Sequence, residues 1–263
     1  IYGGANARPF TTHHFTLDEK LYLRIAVELY LKRLIIGGFN KVYEISKNFR
    51  NEGMDRTHNP EFTMLELYKA YSDVYDIMDI TENLIKFAAK AVDMNTITCN
   101  NISFDIDTKF KRITLAELFD NKFKEKDLLF NEKKLRKIGS KLDVDEGLNY
   151  GQLVDKIFSL TIEPDLIEPT FVLDYPKEIS PLSKIKRGCK DIVERFELFI
   201  CGMEIANAFT ELNDPIEQRN RFKMQEKLKA KGDEEAQVID EDFLSAMEVG
   251  MPPTGGVGIG IDR

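Results

Sequence analysis

Cysteine is scarce in this chain: Cys99, Cys189 and Cys201 are the only three. No two have metal-site spacing, and an odd count argues against a disulfide framework. Three structural thiols in a reducing, cytoplasmic compartment are expected. No apolar run approaches the roughly 18 residues that a membrane-spanning helix needs, so no membrane partner is expected. Basic charge is not in excess either, with 37 Lys and Arg against 45 Asp and Glu and a formal net charge of −8. A dedicated nucleic-acid binder usually shows a basic balance. Bulk charge thus gives no support for an RNA partner and does not exclude one, because a local basic patch suffices; no DNA partner is expected. A signal-peptide pattern is missing as well.

What is present suffices for a large globular unit. The 263 residues are 43% hydrophobic, enough to bury a sizeable core. The chain opens at Ile1 without methionine and closes at Arg263 just after a strand pattern; it reads as a piece of a longer protein. Leu17, Leu21, Ile25, Leu29 and Leu34 recur near the helical period and predict a helix over 17–37, ended by Gly37-Gly38. Lys41 to Ile45 alternates as a strand, Arg50 to Pro60 is a polar loop, and Phe62 to Tyr68 alternates again. A second helix is predicted over 73–92 and a buried strand at Phe171 to Leu173. Residues 195–212 read as a hairpin turning at Cys201-Gly202. About 109–166 reads as a mostly helical inserted region, and about 215–249 as a charged helical pair. Hairpins set apart from helices predict an α+β fold with a mainly antiparallel sheet.

Several charged residues sit where strands should carry apolar ones. On the strand 62–68, Phe62, Met64, Glu66 and Tyr68 share one face, and Thr63, Leu65 and Leu67 the other. The second is the natural core face. Glu66 on the first suits either a cationic ligand or an ordinary salt bridge. Arg50 is the phosphate candidate, because a guanidinium can fork two phosphate oxygens. Phe62 is able to stack on a base, and His58 is either a phosphate contact or a surface histidine. In the hairpin, Glu197 and Glu204 fall diagonally on one face, at a separation that suits a shared hard cation such as Mg²⁺ or two solvated glutamates. Asn207 and Glu211 fall on the opposite face unless a bulge intervenes. Finally Gly256, Gly258 and Gly260 alternate with Val257, Ile259 and Ile261, leaving one face without side chains, against which a flat ligand can lie.

These stretches resemble the class II aminoacyl-tRNA synthetases. Phe49-Arg50-Asn51-Glu52 with His58-Asn59-Pro60-Glu61-Phe62-Thr63 is similar to motif 2, and Gly256 to Arg263 to motif 3. Gly3 to Phe10, Glu28-Leu29-Tyr30, Met64 to Tyr68 and Glu204 to Asp214 resemble the lysine-specific branch. The resemblance implies an antiparallel sheet flanked by helices in a homodimer, activating L-lysine with ATP and passing it to tRNA(Lys). It also implies site roles. Arg50, Glu52, His58, Asn59, Phe62, Glu204 and Arg263 would hold ATP, with Arg50 and Arg263 catalytic. Glu197 and Glu204 would hold Mg²⁺. Gly4, Glu28, Glu66, Tyr68, Asn207 and Glu211 would hold lysine. Two departures are visible: Val27 replaces a usual proline, and Phe209 stands where some members have tyrosine. An anticodon-binding barrel and most of motif 1 lie outside these residues, so dimerisation and tRNA selection are inherited expectations. The alternatives are a ligase that places lysine or β-lysine on an elongation factor, and a non-catalytic synthetase-like scaffold.

Overall fold

The computed structural model describes residues 3–5, 7–230 and 236–263. In chain order it contains β1 (Thr11–His14), β2 (Glu19–Tyr22), α1 (Glu28–Ile36), β3 (Lys41–Phe49), β4 (Glu61–Ala70) and α2 (Val74–Ala91). There follow β5 (Thr96–Cys99), β6 (Ile102–Asp105), β7 (Lys111–Thr114), α3 (Leu115–Phe123), α4 (Glu132–Lys141) and α5 (Tyr150–Thr161). The last elements are β8 (Thr170–Leu173), β9 (Arg195–Ile200), β10 (Met203–Thr210), α6 (Pro215–Ala230), α7 (Glu241–Gly250) and β11 (Thr254–Gly260). Asn6 and residues 231–235, the latter within the expected helical pair, lie outside the described residues.

The chain divides into two compact units. The first comprises Ile1–Ile77, Pro181–Lys184 and Phe209–Arg263, the second Met78–Ser180 and Ile185–Ala208. In the first, the strand order is β3-β4-β11, all antiparallel. Helix α1 lies on β4 through Val27, Leu31, Ile35 and Tyr68. A second apolar cluster joins Leu29 to Leu182, Phe222, Phe243, Leu244 and Met247. Each such fully buried Leu or Phe contributes about 1.5–3 kcal/mol. Asp240 caps α7 by accepting from the Phe243 N–H at 2.9 Å, and it is forked by Arg33 Nη2 at 2.9 and 2.8 Å.

In the second unit the order is β10-β9-β8-β7. Its core gathers Leu115, Phe119, Leu135, Val154, Ile157, Val172 and Phe199, each at most 2% exposed. Helix α3 begins in a capping box, Thr114 with Glu117, and α5 in another, Asn149 with Gln152. The thiols are free, and burial with the neighbouring Cys99 pushes Cys201 up to about 11.

Three expectations need correction. The sheet is mixed: β7 pairs with β8 in parallel, Ile113 opposite Val172. Parallel neighbours need a long crossover, which α3, α4 and α5 supply. The helix predicted over 17–37 exists only over Glu28–Ile36. Residues before it form the β1–β2 hairpin, His14 opposite Glu19, turning through Asp18 at φ 51°. Strand pairing overrides an apolar spacing there that is shared by chance. On β4, the face taken as non-core is buried as deeply as the other, with Glu66 3% and Tyr68 4% exposed. Helix α1 covers it.

Candidate active site

The first unit brings together three of the carboxylates singled out in the sequence. Glu66 is central on β4, Glu28 opens α1, and Glu211 follows β10. Their exposures are 3, 7 and 1%. Glu66 Oε1 accepts from the Val27 N–H at 3.4 Å and Oε2 from the Tyr68 hydroxyl at 2.8 Å. Burial, reinforced by Glu28, pushes Glu66 up to about 7, against the pull of Tyr68, Val27 and Arg50. Burial likewise drives Glu211 well above the carboxylate range and Tyr68 well above the usual phenol.

A residue the sequence reading passed over lies in this cluster. Lys32, 1% exposed, sets its ammonium in ion contact with both Glu28 and Glu211. It also stands 5.2 Å from the Phe209 ring centroid and 5.9 Å from that of Tyr68. Burial alone would lower its pKa, but Glu211 and Glu28 together raise it. The signal was present: Lys32 follows Glu28 by one helical turn, on the stripe of Leu31 and Ile35. Even so, Glu211 Oε1 is buried without a hydrogen-bond partner. An orphaned buried acceptor of this kind costs about 1–3 kcal/mol.

The backbone is shaped for this cluster. Gly4 has φ +87°, and a Cβ there would lie 3.0 Å from Glu28 Cβ. In the β4–β11 register, Gly256 faces Tyr68 and Gly258 faces Glu66. The expected bare glycine face is filled by the protein itself. A methyl at Gly256 would lie 2.3 Å from Glu211 Oε1 and 2.4 Å from the Tyr68 ring, and one at Gly258 2.4 Å from Met64 Cε. These glycines make room for side chains rather than for a flat ligand.

A second group in this unit is basic. Arg50 follows β3, its backbone N–H donating to Pro60 O at 2.8 Å. Its guanidinium lies 5.0 Å from the Phe62 ring centroid, and Nε donates to Ile25 O at 3.4 Å. Arg263 donates from Nε to Thr57 O at 3.2 Å and from Nη2 to His58 Nε2 at 3.1 Å. Since arginine can only donate, Nε2 accepts and the His58 ring proton sits on Nδ1. That nitrogen faces Asp55 at 2.9 Å. The Thr57 backbone N–H, then His58, hold Asp55 far below the usual carboxylate range. Glu52 is half-buried and Asn59 exposed in the intervening loop; neither is drawn into these contacts.

The second unit holds the remaining candidates. Arg195 Nη2 donates to Glu197 Oε1 at 2.5 Å, and the Tyr175 hydroxyl to Glu197 Oε2 at 2.8 Å. The Arg195 guanidinium also stacks 4.6 Å from the Tyr175 ring centroid. Arg195 Nε donates to Asn207 Oδ1 at 3.1 Å. Asn207 thus shares the side of Arg195 and Glu197, which simple alternation from a two-residue turn does not allow. Burial raises Glu197 to about 7, with Arg195 opposing and Glu204 adding to the rise. Glu204 is half-buried.

Two mutually repelling carboxylates suit a hard divalent cation, which takes oxygen ligands and completes its shell with water and phosphate. Among the described residues no group of three or more His, Cys, Asp or Glu forms a closed cage. Glu197 and Glu204 carry oxygens of the kind such a cation takes, and those of Glu197 accept from Arg195 and Tyr175.

Comparison with known proteins agrees with this residue pattern. The family described as tRNA synthetases class II (D, K and N) matches residues 1–263. A lysine–tRNA ligase of Carboxydothermus hydrogenoformans is 52% identical over 269 residues, covering 100% of this chain and 55% of that protein. One of Christiangramia forsetii is 52% identical over 270 residues, covering 100% of this chain and 47% of its own. One of Moorella thermoacetica is 51% identical, again across 100% of this chain and 55% of that protein. The chain thus spans about half the length of these curated relatives. With motif 2, motif 3 and the acidic cluster in place, it belongs to the class II tRNA synthetases of the D, K and N group.

Proposed function

We propose that the chain carries the lysine-activating centre of a lysine–tRNA ligase, forming lysyl-adenylate from L-lysine and ATP and passing the lysyl group to tRNA(Lys). The observation that carries this is the buried acceptor of Glu211, Oε1, without a partner beside Glu28, Glu66 and Tyr68. An ammonium on a long apolar stem satisfies that acceptor and supplies positive charge to a cluster short of it. Gly4, by its approach to Glu28, completes the lysine set in this unit. The relatives reported above bear the tRNA-ligase name, which favours this reading over a ligase acting on an elongation factor.

The remaining roles follow from chemistry. Phe62 offers its ring to adenine, with Glu52, His58 and Asn59 around the nucleotide. Arg50 stabilises charge developing at the α-phosphate, and Arg263 neutralises the γ-phosphate. Glu197 and Glu204 would hold Mg²⁺, whose chemistry there would be to shield polyphosphate charge. The lysine carboxylate attacks the α-phosphorus and pyrophosphate leaves. The terminal ribose hydroxyl of tRNA then attacks the acyl carbon and AMP leaves. Both steps rest on placement and charge neutralisation more than on a general base.

A homodimer is supported by an exposed apolar edge: Tyr43 is 73% and Ile45 59% exposed on β3, the end strand of its sheet order. The free thiols accord with a cytoplasmic setting. No helix among the described residues is long and apolar enough to cross a membrane.

Glu66→Gln should weaken lysine binding on the order of tenfold to a hundredfold, the value of a hydrogen bond to a charged group. ATP binding should stay within about threefold. Calorimetric titration of both ligands decides it, and equal losses would remove Glu66 as an ammonium partner.

pH offers a separate check. Glu66 titrates near 7 when folded, against 4.5 for a free carboxyl. The native state therefore holds more protons between these values, and this group's contribution to unliganded stability declines as pH rises from about 4.5 to about 7. Lysine affinity runs the opposite way. Ionised Glu66, faced by Glu28, Glu211, Lys32, Tyr68 and Arg50, attracts the ammonium. Affinity should fall by up to about tenfold per pH unit below the titration point. Affinity that is level between pH 6 and 8 would count against this.

A further inference from the structure

Among the described residues, Lys32 is the one cation in ion contact with the acidic cluster, yet nothing above gives it a task. It lies on the core face of α1, where a charge is costly unless its partners repay the desolvation. Its ammonium contacts Glu28 one turn back on its own helix and Glu211 from the far side. Phe209 and Tyr68 present their rings to it, at 5.2 and 5.9 Å. Both Glu211 oxygens are buried without a hydrogen-bond partner; Oε2 is in ion contact with Lys32, and Oε1 lies 2.3 Å from where a Gly256 methyl would be. The carboxylate is thereby oriented, with one oxygen held by the protein and the other left over.

We propose that Lys32 is a positioning and specificity-determining residue for substrate lysine. Its ammonium fixes Glu28 and Glu211 from behind, directs the unused oxygen of Glu211 to the incoming amine, and fills part of the positive charge the three carboxylates lack. This rests on the lysine-activation reading above and deepens it. Counting charge explains why a resident lysine serves a lysine site. Three carboxylates and one ammonium leave a deficit that one further side-chain cation reduces without inverting. Lys32 opposes the rise that burial imposes on Glu211; without it the carboxylates would hold protons more tightly, and a protonated Glu211 no longer attracts an ammonium. A merely structural Lys32 would affect stability but not the ratio of lysine to ATP affinity.

The test uses the full-length protein and ATP–pyrophosphate exchange with lysine and ATP varied separately. Lys32→Met keeps the apolar stem and removes the charge. The lysine KM should rise on the order of tenfold to a hundredfold, the range for losing a charged contact. The ATP KM, and kcat at saturating lysine, should move by less than about threefold. An unchanged lysine KM, or lysine and ATP KM values rising together, overturns the proposal.

If Lys32→Met does not fold, the double variant Lys32→Met with Glu28→Gln restores the charge balance and is compared with Glu28→Gln alone. A further tenfold or larger rise in lysine KM in the double variant supports the role, and equal values overturn it. The parent protein separates the two levels of inference. A parent without lysine-dependent exchange removes the activation reading itself. An active parent with unaffected variants removes only Lys32.

Discussion

Arg50→Ala should lower lysine-dependent ATP–pyrophosphate exchange by about a hundredfold to a thousandfold, the loss typical of removing one preorganised donor to developing charge. The fold should survive, with the thermal midpoint shifting by no more than roughly 4 °C. Arg50 holds the protein by modest contacts: a 3.4 Å hydrogen bond from Nε to Ile25 O and stacking on Phe62. Its backbone, bonded to Pro60 O, is untouched by the substitution. The side chain thus contributes little to stability and stays available to a phosphate. Arg50→Lys should recover only a small part of the rate, because an ammonium cannot fork two phosphate oxygens. Exchange that persists at the parent rate in Arg50→Ala would remove Arg50 from the reaction.

The second large effect concerns a residue with no side chain. Gly256→Ala places a methyl against Glu211 Oε1 and the Tyr68 ring at 2.3 and 2.4 Å. Both neighbours are almost wholly buried, at 1 and 4% exposure, so neither can swing into solvent. Overpacking of this kind costs about 1–3 kcal/mol. The functional cost should be larger, since relief requires moving the acceptor proposed for the lysine ammonium. Lysine affinity should fall by more than about a hundredfold, with ATP affinity nearly unchanged. Gly255→Ala is the control. Its methyl would meet Ile77 Cγ1 at 2.5 Å and the Asp73 carbonyl oxygen at 2.8 Å, so it should lower the thermal midpoint without a selective loss of lysine. If the two alanine variants behave alike, steric shaping of the amine site by Gly256 is wrong.

Local chemistry made much of this molecule legible. The alternation of Lys41 to Ile45 and Phe62 to Tyr68 around a loop with Gly53 and Pro60 marks β3 and β4, found over Lys41–Phe49 and Glu61–Ala70. Cys201 and Gly202, with φ 57° and 68°, turn the β9–β10 hairpin where it was expected. What failed was non-local. Leu17 and Leu21 share a helical spacing with Leu29 but belong to a hairpin formed by pairing with Thr11 to His14. The parallel β7–β8 pair leaves no turn signature, because helices intervene. Asn207 escaped the alternation rule, and its bond to Arg195 reveals its side.

The acidic cluster was partly legible as well. Glu66 stood out as a carboxylate on an apolar strand, whereas Glu28, in the middle of the helix expected over 17–37, entered only through the family resemblance. Lys32 did not, since a lysine in a helix is usually read as solvated. Its burial follows from two carboxylates, one of them contributed by a chain segment far away in sequence.

The pairing of β4 with β11 has a temporal consequence. Tyr68 and Glu66 lie opposite Gly256 and Gly258, partners far apart in sequence. Closing so long a loop is entropically unfavourable and generally slow. During synthesis the acidic cluster has no floor until the ribosome has delivered Thr254–Gly260. Until then the acidic side chains of β4 and Glu28 with Lys32 remain hydrated on an unfinished sheet edge, so nascent chains should gain protection by lysine abruptly, when β11 pairs with β4, rather than by degrees.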